Sequence, residues 1–194
     1  MESIRQPMED GRVVVSRASG RIEYPADFML IAAANPCPCG FLGHPTRECK
    51  CTERQIEKYK RRISGPILDR IDLHVNVPAV DPDKLANEGV VKGETSRVIK
   101  EKVIRARKIQ ETRFADYTGV FTNSQMRNKH VKKFCKLDDK SGRLLKMAVS
   151  KYDLSARGYF RILKVARTIA DLAGSKNIKL EHIAEALQYR VRVF

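Results

Sequence analysis

The sequence has no run approaching the roughly 18 apolar residues that a membrane-spanning helix needs, which excludes such a helix. Its first residues, Met1-Glu2-Ser3-Ile4-Arg5, lack the apolar core of a secretory signal, and the expectation is a cytoplasmic chain. Internal repeats and low-complexity tracts are missing, which excludes a solenoid and a compositionally disordered tail. Acidic residues are scarce: 23 Asp and Glu stand against 38 Lys and Arg, leaving a net charge of +15. What is present, 42% hydrophobic and 31% charged residues, is the usual make-up of a soluble globular chain. A length of 194 residues bounds it to one large domain or two small ones.

The positive excess is concentrated. Between Arg97 and Lys151 lie 16 basic and 5 acidic residues, a surplus of 11. A surplus of that size attracts polyanions, nucleic acid being the commonest through phosphate contacts and counterion release. A solvated basic face without a specific partner is the alternative, and charge alone does not separate the two.

Local patterns divide the chain. Residues 1–9 read as the end of a helix. Arg12-Val13-Val14-Val15-Ser16, the turn signal Ser19-Gly20 and the alternating Arg21-Ile22-Glu23-Tyr24 predict a β-hairpin. The apolar run Phe28–Ala34 reads as a strand buried on both faces of a parallel sheet, stopped by Asn35-Pro36. A loop rich in Pro, Gly and Cys occupies 36–51. Thr52 with Gln55 forms a capping box that opens a helix to about Ile63, and a short helical turn follows to Arg70. Alternation of Ile71, Leu73, Val75 and Val77 predicts a second core strand. Residues 81–94 form a polar linker, and everything beyond reads as helical. Stripes at Val98–Ile109, a segment opened by Thr122/Gln125 and ending near Cys135, Leu144–Val149, Tyr159–Leu172 behind Ser155, and Ile183–Leu187 mark successive helices. Two strands cannot bury both faces of a sheet alone, so residues 1–80 read as part of a larger α/β domain.

Four of the five cysteines, Cys37, Cys39, Cys49 and Cys51, fall within fifteen residues. Four thiolates in one loop are enough for tetrahedral Zn²⁺, with His44 as a spare ligand, although one-residue spacing within each pair is tighter than usual. Four reduced thiols in a loop are the alternative. Cys135, in an apolar stretch, reads as a packing residue. Three further polar residues stand where chemistry would use them. Asn35 follows a buried strand, where an amide can position a water beside a phosphate; an Asn-Pro turn is the plainer reading. Arg70 stands before the second strand, placed either to reach a phosphate on a neighbouring subunit or to pair with Asp69 or Asp72. Arg157 lies in the first turn of a helix, against the dipole, or else merely on the surface.

The string Arg5-Gln6-Pro7-Met8-Glu9-Asp10-Gly11, Ser16-Arg17-Ala18, Ala34-Asn35-Pro36-Cys37-Pro38-Cys39-Gly40 and Ser64-Gly65-Pro66-Ile67-Leu68-Asp69-Arg70-Ile71-Asp72 closely resembles the magnesium-chelatase-like AAA+ ATPases of the YifB/ComM family. So do Leu154-Ser155-Ala156-Arg157-Gly158-Tyr159 and Val165-Ala166-Arg167-Thr168-Ile169-Ala170-Asp171-Leu172, and the resemblance covers nearly the whole chain. It implies a remnant of an AAA+ P-loop NTPase core over residues 1–80 (a β-hairpin plus two core strands) and an all-α lid over 95–194. It implies roles as well: Asn35 as sensor 1, Arg70 as an arginine finger acting on ATP held by the adjacent subunit, Arg157 as sensor 2, and Arg17 as the pore-facing cation of a pre-sensor-1 hairpin that touches DNA. ATP and Mg²⁺ are the implied cofactors, and a homo-oligomeric ring, taken as a hexamer, is the implied assembly.

Two elements of the family pattern are missing. No Gly-x-x-x-x-Gly-Lys-Ser/Thr phosphate loop occurs in the sequence, nor an acidic Walker B strand, so the expectation is a downstream portion that does not hydrolyse ATP by itself. The functional expectation is a DNA branch-migration or helicase motor, of the kind that acts in recombination of incoming DNA. A chelatase-type ATPase that remodels a protein partner, and a non-enzymatic DNA-binding helical module, are the alternatives.

Overall fold

The computed structural model describes residues 2–18, 20–62, 65–78 and 93–190. It divides into two compact units: Met1–Ile71 with Val77–Ala79, and Asp72–Asn76 with Val80–Val193. The expected linker at 81–94 falls, apart from its last two residues, outside the described residues. No helix among the described residues is long and apolar enough to cross a membrane.

In the first unit, a short 3-10 turn leads into helix α1 (Arg5–Asp10). Gly11 ends the helix at φ 64°, a left-handed conformation that costs a residue without Cβ little, and its N–H donates to the Pro7 carbonyl at 2.9 Å. Strands β1 (Arg12–Arg17) and β2 (Gly20–Pro25) then pair antiparallel, in a register running from Arg12↔Pro25 to Arg17↔Gly20. Arg12 and Glu23 add a cross-strand ion pair of 2.9 Å. Val14 is half-buried and the other described strand residues are exposed, so the hairpin stands on its ladder rather than on a core. Helix α2 (Glu53–Arg62) opens at the anticipated capping box: Thr52 N–H donates to Gln55 Oε1 at 2.9 Å, and Gln55 N–H to Thr52 Oγ1 at 3.3 Å. A single turn, α3 (Gly65–Leu68), follows.

The two expected core strands are not formed. Residues 28–34 carry no ladder, and Met29 and Ile31 are each 84% exposed. A strand needs a neighbour to take its N–H and C=O groups, and the one sheet among the described residues is the hairpin. Residues 71–77 are likewise not a strand. The 72–76 stretch is instead tied to the helical unit: Asp72 pairs with Arg161, and His74 N–H donates to the Tyr189 carbonyl at 2.8 Å.

Among the described residues, the elements of the second unit are helical: α4 (Ser96–Phe114), α5 (Asn128–Phe134), α6 (Asp139–Lys151), α7 (Ala156–Leu172) and α8 (Leu180–Gln188). Side-chain caps set three of the starts. Thr95, Asp138 and Ser155 accept from the N–H groups of Val98, Ser141 and Gly158, which would otherwise be orphaned. Thr122 with Gln125 does form a capping box, but it opens only a 3-10 turn, Asn123–Gln125. Met126 leaves helical geometry at ψ 128°, and the helix restarts at Asn128. The apolar stripe of α7 forms the centre of the core, with Ile162, Leu163, Ala166 and Ala170 packed with Phe114, Val131, Leu145 and Ile183.

Candidate functional site

Cys37 and Cys39 are brought to Cys49 by two tight turns. Gly40 N–H donates to the Cys37 carbonyl at 3.1 Å with Gly40 at φ 82°, and His44 N–H donates to the Phe41 carbonyl with Gly43 at φ 77°. The sulfurs of Cys37 and Cys39 lie 3.4 Å apart, and each is 3.6 Å from that of Cys49. All four sulfurs, Cys51 included, lie within 4.8 Å of one another. All four cysteines are free. Cys37 is buried, while Cys39 and Cys51 line a groove of about 620 Å³ with Lys58, Tyr59 and Arg62.

Their surroundings polarise the thiols unequally. A hydrogen bond from the Phe41 backbone N–H holds Cys39 well below the ordinary thiol value, at about 6. Cys49 accepts from the Cys51 backbone N–H, yet burial and the neighbouring thiols push it up to about 12. Burial raises Cys51. His44 does not join the group: its Nδ1 accepts from the N–H groups of Thr46 and Arg47 at 3.2 and 3.1 Å.

Asn35 is exposed, and its side-chain amide lies over the first turn: a Cβ built on Gly40 would stand 3.9 Å from Asn35 Cγ and Nδ2. Arg70 is nearly buried, its guanidinium 2.6 Å from Glu9, while Asp72 pairs with Arg161. Glu9 was not singled out in the sequence. Arg17 occupies the last strand pair before the hairpin turn and is exposed. Arg157 lies in the second unit, exposed in the first turn of α7, one residue before Gly158. There the guanidinium of Arg190 comes within 3.3 Å of where a Cβ on Gly158 would sit, so glycine leaves room for it.

Fourteen of the sixteen basic residues between Arg97 and Lys151 are exposed, so the charge surplus faces solvent. Three of them, Lys132, Arg143 and Lys146, share a groove of about 620 Å³ with Tyr159, Phe160 and two carboxylates, Asp138 and Asp139. An exception is Arg113, which points inward. Its two terminal nitrogens donate to Asp171 at 2.6 and 2.5 Å. Burial lowers the Arg167 guanidinium from its usual range, with Asp171 opposing that effect, and Arg167 also donates to the carbonyls of Ser175 and Lys176. Cys135 is a packing residue, its thiol pushed up to about 12 by burial.

The family model for the C-terminal part of magnesium chelatase subunit ChlI matches residues 93–190, and that for magnesium chelatase subunit ChlI matches residues 1–85. The chain belongs to the magnesium chelatase ChlI family. Within it, the chain is 43% identical over 194 residues to the competence protein ComM of Haemophilus influenzae, covering 100% of this chain and 36% of that protein. It is 38% identical over 191 residues to the uncharacterized protein YifB of Escherichia coli K12, covering 98% of this chain and 36% of that protein. An uncharacterized protein of Mycobacterium tuberculosis H37Rv is 32% identical over 190 residues, at 98% and 37% coverage. The chain thus spans about a third of the length of these curated relatives, and it is a ComM/YifB-like member of the chelatase family.

Proposed function

We propose that this chain supplies the DNA-gripping lid and phosphate-sensing residues of an AAA+ ring ATPase that moves branched or forked DNA. The single observation that carries the reading is the solvent-facing cationic surface of the helical unit, fourteen exposed Lys and Arg between Arg97 and Lys151, of which Lys132, Arg143 and Lys146 line a groove with Tyr159, Phe160 and the carboxylates of Asp138 and Asp139. Cations that track phosphates, with rings on which a base can stack, are what a motor needs to hold DNA without reading its sequence. Membership in the ChlI family and likeness to a competence protein support the same reading.

In this reading, Asn35 orients the attacking water, Arg70 leaves Glu9 to stabilise the transferring phosphoryl group on a neighbouring subunit, and Arg157 senses the bound nucleotide from the lid. Arg17 at the hairpin tip tracks the DNA backbone. The assembled protein is a homo-oligomeric ring, a hexamer in this reading, that works on ATP and Mg²⁺. This sequence holds no phosphate loop, so by itself it hydrolyses no ATP.

The test is binding of the chain to fluorescent forked DNA across a salt series. The expected result is a log Kd that weakens linearly as log salt rises. Binding that is weak and equally so at low and high salt would favour the second reading, a chelatase-type motor that remodels a protein, toward which the match to magnesium chelatase subunit ChlI points.

A further inference from the structure

We propose that Cys37, Cys39, Cys49 and Cys51 bind one zinc ion, and that the closed knuckle is what seats the side chain of Asn35. Neither half depends on what Asn35 does once seated.

The first argument is geometric. Four sulfurs at about 2.3 Å from a common zinc form a tetrahedron with edges of about 3.8 Å. The observed separations of 3.4 and 3.6 Å, with all four sulfurs inside 4.8 Å, lie close to that figure. A disulfide would instead bring two sulfurs to about 2.05 Å and leave the others aside. Three of the sulfurs are near-equidistant and the fourth, that of Cys51, lies within 4.8 Å of each, which suits a central ion rather than a pair of bonds.

The second argument is what holds the loop. Residues 36–52 contain no helix or strand, and in the first unit the buried apolar residues among those described are Cys37 and Ile67. Two side chains do not fix seventeen residues, and chains that cannot build a core use metal or disulfides. Lys58 and Arg62 share the groove with Cys39 and Cys51, offsetting the negative charge of a four-thiolate zinc centre and leaving an entry path.

The link to Asn35 follows from the same turn. Gly40 is held by its bond to Cys37, and the Asn35 amide lies beside it, 3.9 Å from where a Cβ on Gly40 would stand. Closing the metal site fixes residues 37–40, and fixing Gly40 fixes the surface on which Asn35 lies.

The experiment is elemental analysis of the chain purified under reducing conditions from zinc-supplied medium, with cobalt replacement as a probe of geometry. The expected result is about one zinc per chain and, with Co²⁺, the intense visible bands of tetrahedral sulfur ligation. Cys49→Ser and Cys51→Ser are each expected to lower retained zinc at least about tenfold after dialysis against a weak chelator. Less than about half an equivalent of zinc in reduced, metal-replete protein, or iron in its place, overturns the metal site. The seating is read separately, by hydrogen exchange and side-chain amide NMR before and after chelation. Exchange at the Gly40 amide is expected to accelerate at least about tenfold and the Asn35 amide signals to shift, with α7 unchanged. An Asn35 signal indifferent to chelation overturns the seating while leaving the metal count standing.

Discussion

Arg167 and Asp171, one turn apart on α7, form a buried ion pair in which Arg167 Nη2 stands 3.0 Å from Asp171 Oδ1. Arg113 reaches the same carboxylate from α4, and Asn123 Nδ2 donates to it at 2.8 Å. Asn123 also accepts from Arg113 and donates to Thr168, so a single carboxylate joins α4, the turn at 123–125 and α7.

Removing that charge leaves two guanidinium groups out of water without their counter-ion. Asp171→Asn is expected to destabilise the helical unit by about 3–5 kcal/mol, read as a lowered urea midpoint by circular dichroism. A change under about 1 kcal/mol would mean that Arg113 and Arg167 find other partners.

His130 makes stability depend on pH. Burial, assisted by the nearby cations Lys129, Arg127, Lys133 and Lys164, lowers its pKa below the ordinary 6.5. Its Nδ1 accepts from the Arg127 N–H at 3.1 Å, and its ring meets Tyr117 edge-on. A folded-state value below the unfolded one means that the unfolded chain takes up the proton first. The contribution is therefore fully present above about pH 6.5 and is lost as pH falls below it. His130→Gln keeps an acceptor at that helix start and removes the titration. The thermal midpoint of the parent chain is expected to fall between pH 7.5 and 5.5 by more than that of the variant, by scanning calorimetry.

Burial separates two isoleucines that look alike in sequence. Ile162 is 1% exposed, and Ile162→Ala is expected to cost about 2–5 kcal/mol through lost transfer energy and the cavity left behind. Ile31 is 84% exposed, and Ile31→Ala is expected to stay within about 0.5 kcal/mol. Urea denaturation of both variants checks the contrast.

Neutralising Lys132, Arg143 and Lys146 together is expected to flatten the salt dependence of DNA binding by about two to three in log–log slope. Helical content should be unchanged, because all three are exposed. An unaltered slope would place the DNA contact elsewhere on the chain.

Local chemistry was the legible part of this sequence. The capping box of Thr52 and Gln55, the Ser155 cap and the hairpin from Arg12 to Pro25 depend on neighbours a few residues apart, and all three are present. The segments 28–34 and 71–77 were misread because an apolar run or a period of two states a preference for pairing and does not supply the partner. The Thr122 box was read correctly as chemistry and wrongly as the start of a long helix, since capping fixes where a turn opens and not how far it runs. The cysteine cluster was legible from spacing, but the position of Asn35 over Gly40 was not. Arg113 and Asp171 lie 58 residues apart, and no periodicity connects them. The partnership of Arg70 with Glu9 was hidden for the same reason.

The hairpin of β1 and β2 buries almost nothing, and a two-stranded ribbon on its own is marginal in water. Its amides should therefore exchange with solvent far sooner than those of α7. An arm of that kind pays an ordering cost each time it settles on a surface, which keeps its hold weak per contact and quick to release. If Arg17 grips DNA as proposed, its place at the end of such an arm suits a grip that is made and broken on every cycle better than one that is made once and kept.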